Sequence, residues 1–363
     1  MFDKTKCSIS EKFADLPFFN EPHCGTNFGF MEDRGFFSSE NALKQPELMR
    51  QSGINYCILN VMFCQEKYCS TKVFLDFKRS ASEIEMTDMV KALHDSGIRV
   101  ILKPCLIPLD GAWMGKVHFP EVSLIEGLDN GSYWKTWFNS FIECTKYYAE
   151  FAAKNNVEGY MCGCEYYGTE YKDAEWRNVV SVVRSIYEGP LTYEFTFASR
   201  NAYTLKWFEE LDFLSYSYYP PACTKSDDLA SFKNAPHVTL DEMVEFLKPR
   251  RDRIRQISER FGNKPIAFTE IGTRSAHGCI ASPANWQADS PYDGEEQANY
   301  MEALFRTFSD MPQWLGMYWW KWPGSSSRAV YEGDPAGDRS FSFCGKPAEE
   351  VMKKWSRKLQ VKS

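Results

Sequence analysis

Short apolar runs alternate with amphipathic stretches from one end of the chain to the other. The apolar runs have the length of β-strands and are rich in branched and aromatic residues. Ser82–His94 shows the other pattern, because Ile84, Met89, Val90 and Leu93 recur at helical spacing before Gly97 ends the helix. The chain is therefore predicted to repeat a unit of one strand and one helix.

The pattern predicts eight strands and eight helices in strict alternation. The strands are Thr26–Phe30, Tyr56–Met62, Arg99–Pro104, Gly159–Cys164, Leu191–Phe197, Phe213–Tyr218, Ile266–Ile271 and Gly316–Trp320. The helices are Leu43–Gln51, Ser82–His94, Tyr133–Asn155, Glu175–Tyr187, Leu205–Glu210, Leu240–Phe261, Glu295–Ser309 and Pro347–Leu359. A long connection, Cys105 to Asn130, follows the third strand, and long loops inside compact domains are usually functional.

Strict alternation is typical of an α/β protein with a parallel sheet, and the count of eight predicts a closed (β/α)8 TIM barrel. We expect a single domain over residues 1–363, with a short polar N-terminal arm over about residues 1–22. An open doubly wound sheet is the alternative. It would carry a glycine-rich phosphate-binding turn, and neither GxGxxG nor GxxxxGK occurs in the sequence.

Composition and charge narrow the class of protein. Hydrophobic residues make up 44%, charged residues 25% and aromatic residues 16% of the chain, as in a globular protein with an aromatic excess. Aromatic rings stack on the apolar faces of sugars, although they also fill cores. The net charge of −7 argues against nucleic acid or an anionic membrane as the partner. No segment resembles a membrane span or a secretory signal, so we expect a cytoplasmic protein.

The twelve cysteines are predicted to be reduced thiols. Cys57, Cys105, Cys162 and Cys164 lie inside apolar runs, where a free thiol packs as a small hydrophobic group. No cysteine spacing matches a zinc motif, and the five histidines are scattered along the chain. We therefore expect neither disulfide bonds nor a metal or another cofactor. The oligomeric state stays open.

Two glutamates stand at strand ends. Glu165 follows the fourth predicted strand, and Glu270 lies 105 residues further on, at the end of the seventh. Active sites of such barrels lie at the carboxyl ends of the strands, so we expect both carboxyl groups in one pocket. Cleavage of a glycosidic bond requires a proton donor together with a nucleophile or a base. The alternative is that both residues are surface glutamates that close ordinary strands.

Three motifs surround these positions: Gly-Cys-Glu165, Phe-Thr-Glu270-Ile-Gly and Gly316-Met-Tyr-Trp-Trp-Lys-Trp322. They resemble clan A glycoside hydrolases and, more narrowly, glycoside hydrolase family 113, whose characterised members are mainly β-1,4-mannanases. The similarity continues over most of the chain, in Leu102-Lys103-Pro104, Trp134-x2-Trp137-Phe138, Arg184, Leu191-Thr-Tyr193, Trp207-x3-Leu211-Asp212 and Tyr218-Tyr219-Pro220.

The resemblance implies a retaining double displacement, with Glu165 as acid/base and Glu270 as nucleophile. The acid must stay protonated near neutral pH, which an apolar neighbourhood promotes. The nucleophile must stay ionised, and Tyr218 and Arg274 are the predicted donors for it. Many clan A enzymes have Asn immediately before the acid, where this chain has Cys164. A thiol leaves room for the axial 2-hydroxyl of mannose, or it simply packs.

Further substrate-binding residues are predicted at other strand ends. Lys103 is expected to hydrogen-bond sugar hydroxyls, since a lysine is otherwise hard to place in so apolar a strand. Trp320 is expected beneath the sugar at the cleavage point, and Trp113, in the long loop, is expected to form a second sugar platform. Asn27 and Asn60, on the first two strands, are candidates for binding hydroxyls or for pairing with the backbone.

Strand alternation limits the assignments of some neighbouring residues. Successive side chains of a strand point to opposite faces, so one of Trp319, Trp320 and Trp322 is expected in the core. For the same reason, at most one of Tyr193 and Glu194 is expected to face the site.

An oligosaccharide is thus the predicted partner, and retaining hydrolysis of β-1,4-linked mannose-containing chains is the predicted function, in the manner of an endo-β-1,4-mannanase. An exo-acting β-mannosidase, or another β-glycosidase acting on imported oligosaccharides, is the main alternative. A non-catalytic carbohydrate-binding barrel is disfavoured because both carboxyl groups are present. A metal-dependent hydrolase is disfavoured because no carboxylate–histidine cluster lies at a predicted strand end.

Overall fold

The structure is a computed structural model that describes residues 2–120, 131–196, 204–232, 234–324 and 333–361. Eight parallel strands form a closed barrel. They are β1 His23–Phe28, β2 Tyr56–Gln65, β3 Arg99–Pro108, β4 Gly159–Cys164, β5 Leu191–Thr196, β6 Leu214–Ser217, β7 Ile266–Ile271 and β8 Trp314–Trp319. Because β1 pairs with both β2 and β8, the ring closes, which confirms the predicted single-domain (β/α)8 barrel.

Helices follow the strands in sequence. The α-helices are α1 Glu40–Leu43, α2 Gln45–Gln51, α3 Glu83–Asp95, α4 Gly131–Lys154, α5 Asp173–Arg184, α6 Leu240–Arg260, α7 Gly294–Phe308 and α8 Pro347–Gln360. Short 3-10 helices are Lys4–Lys6, Glu11–Phe13, Pro17–Phe19, Met114–Lys116, Tyr167–Thr169, Lys206–Glu210 and Cys279–Ala281. The two-residue strand Val73–Phe74 pairs antiparallel with the end of β2.

The observed boundaries differ from the predicted ones mainly at strand ends. β2 and β3 continue to Gln65 and Pro108, past the predicted ends at Met62 and Pro104, because the two apolar runs pair over ten residues. The predicted helix Leu43–Gln51 is replaced by two helices, α1 and α2. Phe197 and residues 121–130 of the predicted long connection lie outside the described residues.

Side-chain caps explain where three of the longer helices begin. Ser82 and Glu85 form reciprocal hydrogen bonds at the start of α3, and Thr239 and Glu242 do the same at the start of α6. At the start of α7, the carboxylate of Asp293 accepts a backbone N–H from the first turn. Each cap satisfies N–H groups that have no partner within the helix.

The amino-terminal end of the barrel is closed by the segment that precedes β1. Its residues Phe13, Phe18 and Phe19 are buried against apolar side chains of the barrel, among them Tyr56 and Tyr318. Edge-to-face and tilted ring contacts connect them, with centroids of Phe18 and Phe19 4.9 Å apart. The predicted polar arm therefore also contributes an apolar plug.

His23 belongs to the same buried layer. Its Nε2 lies 2.8 Å from the carbonyl oxygen of Phe18, and its Nδ1 lies 2.7 Å from the hydroxyl of Tyr318. Its ring also stacks on Tyr56, with centroids 3.8 Å apart. Burial lowers the pKa of His23 to about 3, so the imidazole is neutral and its Nε2–H donates to Phe18.

Toward the carboxyl ends of the strands, the barrel interior becomes polar. Lys103 of β3, Glu194 of β5 and Ser215 of β6 are all buried there. The hydroxyls of Ser215 and Thr269 lie 2.6 Å apart, which joins β6 to β7 inside the barrel. Polar groups therefore accumulate at the end where barrel enzymes carry their sites.

The twelve cysteines are free thiols, as predicted, and ten of them are buried. In the part of the chain that the structure describes, no helix combines the length and the apolar character needed to cross a membrane.

Candidate active site

A cavity of about 580 Å³ opens at the carboxyl ends of the barrel strands. Such a volume is typical of sites that hold a small organic ligand. Both predicted catalytic residues line it, so the spacing-based prediction of one shared pocket agrees with the geometry. The lining residues are Phe30, Trp113, Met114, Cys164, Glu165, Thr196, Ser217, Tyr219, Glu270, Ala284, Trp286, Trp320, Lys321 and Phe341.

Glu165 follows β4 in an unusual backbone conformation. Its φ of +55° lies in the left-handed region, which costs a residue other than glycine about 1–3 kcal/mol and recurs at functional sites. The backbone N–H of Glu165 donates to the carbonyl of Glu194 across the β4–β5 edge at 2.8 Å, which holds this turn. The indole Nε1 of Trp113 donates to the carboxylate of Glu165 at 3.0 Å.

Burial is the largest cause that raises the pKa of Glu165, and the negative charge of Glu270 raises it further. Hydrogen bonds from Ser217 and Trp113 oppose the rise because they stabilise the carboxylate. The carboxyl group of Glu165 is thus held toward the protonated form that an acid catalyst needs.

Glu270 lies on β7, one residue before its end. One carboxylate oxygen is 2.5 Å from the ammonium of Lys103, and the other accepts a hydrogen bond from the hydroxyl of Tyr219 at 3.2 Å. Burial raises the pKa of Glu270 to about 7, and Glu194 adds to the rise, while Lys103 and Tyr219 oppose it. Glu270 thus accepts hydrogen bonds from one cation and one hydroxyl, whereas the groups that donate to Glu165 are both neutral.

Lys103 is the central cation of the site. Its side chain is completely buried, and its ammonium contacts Glu194 at 2.6 Å as well as Glu270. Burial alone would lower the pKa of Lys103, but the surrounding negative charge raises it well above its ordinary value. The thiol of Cys164 donates to the same oxygen of Glu194, at 3.1 Å. Cys164, Glu194 and Glu270 could group around a metal ion, but the ammonium of Lys103 contacts both carboxylates.

Three tryptophans border the cavity. Trp113 and Trp320 were predicted to do so, and Trp286, in the loop after β7, was not. The ring of Trp320 lies 5.7 Å from the ammonium of Lys103, and its peptide bond to Lys321 is cis. Trp113 and Trp286 expose 36% and 70% of their surfaces, so their rings are accessible to a ligand at the cavity mouth.

The neighbours of Trp320 are core residues. Trp319 is buried and donates its indole N–H to the carbonyl of Phe341 at 2.7 Å. Trp322 is buried as well, and it donates to the side chain of Gln45 at 2.9 Å. Two of the three tryptophans are therefore in the core, one more than the alternation of a regular strand predicted.

Tyr218 and Arg274 are not placed where the sequence suggested. The ring of Tyr218 packs on Phe268 at 4.8 Å and on Phe308 of α7, so it faces the helix layer. The guanidinium of Arg274 donates to the backbone carbonyls of Arg339 and Ala288. Neither side chain lines the cavity. The donors to Glu270 are Tyr219 and Lys103 instead.

Asn27 and Asn60 satisfy buried polar groups. The amide of Asn27 donates to the carbonyl of Thr269 at 2.8 Å, and that of Asn60 donates to the carbonyls of Phe28 and Ile58. Both residues are fully buried and do not line the cavity. Of the two roles that the sequence left open, backbone pairing is the one these contacts support.

Sequence reasoning missed Tyr219 and left Glu194 undecided, although the alternation of polar and aromatic residues marks both. On β5, Tyr193 packs against Trp207 outside the barrel, so Glu194 points inward. On β6 and beyond it, Tyr216 and Tyr218 face outward, so Ser217 and Tyr219 face the cavity. The small polar residue Ser217 marks the inward face of β6. Continuing the alternation from it by two residues would have selected Tyr219 rather than Tyr218.

Comparison with known proteins identifies the family. Residues 26–346 match the sequence model of Glycoside Hydrolase Family 113. A solved structure described as a GH113 beta-1,4-mannanase complex is 26% identical, with a TM-score of 0.77, over 93% of this chain and 99% of that chain. GH113 beta-mannanase AaManA from Alicyclobacillus acidocaldarius, in complex with ManMIm, is 25% identical, with a TM-score of 0.79, over 94% and 99%.

More distant structures agree on the fold. A family 5 mannosidase from Rhizomucor miehei is 9% identical, with a TM-score of 0.58, over 94% of each chain, and this likeness concerns the fold alone. A comparison with curated proteins found no match. Since the family match extends over almost the whole barrel and includes both cavity glutamates, the chain belongs to glycoside hydrolase family 113 and is a glycoside hydrolase.

Proposed function

We propose that the protein is a retaining endo-β-1,4-mannanase that cleaves β-1,4-linked mannose-containing oligosaccharides and polysaccharides. The observation that carries this proposal is the pair Glu165 and Glu270, which face one cavity at the carboxyl ends of β4 and β7. The GH113 β-mannanases that resemble the chain over more than nine-tenths of its length support the choice of sugar.

In the first step, Glu270 attacks the anomeric carbon of the sugar while Glu165 gives its proton to the leaving glycosidic oxygen. The bond from the anomeric carbon to that oxygen breaks, and a covalent glycosyl–enzyme forms. In the second step, Glu165 takes a proton from water, which attacks the same carbon and releases Glu270. Two inversions restore the original β configuration.

The environments of the two carboxyl groups support this division of roles. Lys103 and Tyr219 donate to Glu270, which favours the ionised nucleophile. The ionised Glu270 in turn raises the pKa of Glu165, which favours the protonated acid. The productive state therefore carries one negative charge and one proton on the two carboxyl groups.

The positions of the tryptophans support endo action. Trp320 borders the cavity beside Lys103, where the ring at the cleavage point would lie. Trp113 and Trp286 are more exposed and belong to the loops after β3 and β7, so they offer platforms for further sugar rings. An exo-acting β-mannosidase would bind a single terminal ring and would use fewer of these surfaces.

Product analysis tests the substrate and the mode of attack. We expect mannohexaose to be cut internally to short manno-oligosaccharides, with β-configured products seen first by NMR, and an aryl β-mannoside to be a poor substrate. Fast release of mannose from both would instead establish exo action. Initial formation of α-configured products would overturn the retaining mechanism.

Azide rescue tests the two roles separately, with an activated aryl β-mannobioside as substrate. In Glu270→Gly, azide replaces the nucleophile in a single displacement, so we expect the α-glycosyl azide. In Glu165→Ala, azide attacks the covalent intermediate, so we expect the β-glycosyl azide. Glu158→Ala, at the opposite end of β4, is the control and should form no azide adduct. Exchanged configurations would mean exchanged roles.

A further inference from the structure

Two of the scattered histidines meet in the loops that follow β6 and β7, a pairing that the sequence did not indicate. His237 lies in the loop before α6, and His277 lies in the loop after β7. Their rings are 4.6 Å apart. Asp293 and Glu296, at the amino-terminal end of α7, face His277. The sequence excluded a carboxylate–histidine cluster only at the predicted strand ends, and this cluster lies in loops and at the start of α7 instead.

The hydrogen bonds of His277 define which of its nitrogens is available. Nε2 lies 3.0 Å from the carbonyl oxygen of Ala235, which can only accept, so Nε2 carries a proton. In the neutral ring, Nδ1 then presents a lone pair, and it has no hydrogen-bond partner in the described part of the chain. The carboxylate oxygens of Asp293 and Glu296 lie 3.6 and 3.7 Å from Nδ1, too far for a hydrogen bond.

The two carboxylates are also incompletely satisfied. One oxygen of Asp293 accepts the backbone N–H of Glu296 at 2.9 Å, which leaves the other oxygen directed at His277. The side chain of Glu296 is only 6% exposed. The oxygen that accepts the N–H of Gly278 at 3.0 Å is also the one nearest to Nδ1 of His277, and the other oxygen has no partner among the described residues. The second oxygen of Asp293 thus remains the carboxylate atom that faces Nδ1 without a hydrogen bond, an arrangement that a cation between the two atoms would stabilise.

The distances suit a zinc ion. Zinc binds imidazole nitrogen at about 2.0–2.1 Å and carboxylate oxygen at about 2.0–2.2 Å, so tetrahedral ligands lie roughly 3.3–3.5 Å apart. The separation of 3.6 Å between Nδ1 of His277 and the carboxylate of Asp293 is close to that range. Ligand atoms of His237, His277 and Asp293 all lie within 4.8 Å of one another, so small side-chain rotations bring all three to a single ion. Mixed imidazole and carboxylate ligands favour zinc over calcium or magnesium.

We propose that His237, His277 and Asp293 bind a Zn²⁺ ion through one ligand atom each, with the fourth tetrahedral position left to water. The ion joins the loop before α6 to the loop after β7. None of the three ligands lines the active-site cavity, so the ion takes no part in the chemistry. The loop after β7 carries Trp286, which does line the cavity. The two loops already make contact through the N–H of Asp289 and the carbonyl of Ala230, at 2.8 Å. The ion thus fixes a loop that carries a sugar platform.

Calorimetric titration of the chelator-stripped full chain with zinc chloride tests the proposal. We expect one equivalent of zinc per chain and, at zinc a hundredfold above its Kd, a rise in Tm of about 3–5 °C. His237→Ala should abolish this binding, and because His237 is exposed, the variant should fold. His277→Gln should do the same. His94→Ala is the matched control, since His94 pairs with Glu158 elsewhere, and it should bind zinc as the wild type does.

Several outcomes would overturn the proposal. They include the lack of any zinc binding by the wild-type chain and equal affinities for wild type and His237→Ala. The second outcome would also arise from adventitious binding at the exposed Cys69. Calcium chloride should give no heat, and calcium binding with zinc-like affinity would contradict the ligand chemistry. None of these readouts depends on which sugar the enzyme cleaves.

Discussion

The ammonium of Lys103 lies 2.5 Å from a carboxylate oxygen of Glu270, and both groups are enclosed by the barrel. A full positive charge at this distance in a buried site favours the ionised carboxylate. It also orients the oxygen pair of Glu270, because the second oxygen is held by Tyr219. Lys103 thus acts on the candidate nucleophile, whereas the sequence suggested direct contacts to the sugar.

Replacing Lys103 by Met should raise the pKa of Glu270. Activity requires the ionised form, so the acidic limb of the kcat/KM profile should move to higher pH by about 1–2 units. The measurement is kcat/KM on mannohexaose from pH 4 to pH 9. Lys346→Met is the control, because Lys346 is equally buried and paired with Asp338 but does not line the cavity. An unmoved acidic limb in Lys103→Met would show that Lys103 does not set this ionisation.

Replacing Trp113 by Phe should move the basic limb of the pH profile of kcat/KM. The indole N–H stabilises the carboxylate of Glu165, so its loss raises the pKa of that group, and the basic limb moves to higher pH by about 0.5–1 unit. Trp286→Phe is the control, since Trp286 lines the same cavity but is not a hydrogen-bond donor to Glu165 in the described structure. A change in KM alone in Trp113→Phe would mean that Trp113 serves only as a platform.

Phenylalanine variants of Tyr219 and Tyr218 test which of the two tyrosines donates a hydrogen bond to Glu270. Tyr219→Phe removes the hydrogen bond to Glu270, which should lower kcat about 10- to 100-fold with little change in Tm. Tyr218→Phe keeps the ring that packs on Phe268 and should leave kcat near the wild-type value. Steady-state kinetics and thermal unfolding of both variants decide between them. A large loss of kcat in Tyr218→Phe together with a near-normal kcat in Tyr219→Phe would mean that Tyr218 is the donor to Glu270.

The buried His23 predicts how stability depends on pH. Its pKa is about 3 in the folded protein and near 6.5 when unfolded, so acid favours the unfolded chain. The stabilisation is complete above pH 6.5 and declines as the pH falls toward 3, by at most about 1.4 kcal/mol per pH unit. Urea unfolding at a series of pH values measures it. The decline should be smaller in His23→Gln, which has no group to titrate.

His94 should have the opposite effect on the pH dependence of stability. Its hydrogen bond to Glu158 raises the pKa of His94, so this contribution is complete below pH 6.5 and is lost as the pH rises. His94→Ala should therefore lose stability more steeply on acidification than the wild type does. Parallel pH dependences in His23→Gln, His94→Ala and the wild type would contradict both assignments.

The fold could be predicted because its signals are local and repeated. β2, β3 and β4 are nearly continuous apolar runs, as expected where both faces of a parallel sheet are covered. The placement of Glu165 and Glu270 followed from that count alone. The N-terminal plug could not be predicted in this way, because Phe13, Phe18 and Phe19 lie among polar residues without a period. Their burial depends on the open end of a barrel formed by residues far away in sequence.

The details of the site were harder, because they depend on which face each side chain takes. Tyr218 and Tyr219 are adjacent and chemically identical, so only the phase of β6 separates them. The pairing of β6 with β7 also shifts register between Tyr216 and Ser217, which blurs that phase near the strand end. His237 and His277 are 40 residues apart on two different loops, and no local pattern brings them together.

The phenylalanine plug has a practical consequence for engineering. The plug closes one end of the barrel, and the cavity with its glutamates lies at the other, with the polar interior between them. Libraries of substitutions in residues 2–22 should therefore yield heat-resistant variants whose product patterns match that of the parent enzyme. A fusion partner is better joined after α8 than before Phe13. Before Phe13, a bulky domain would disturb the packing of the plug at the amino-terminal end of the barrel.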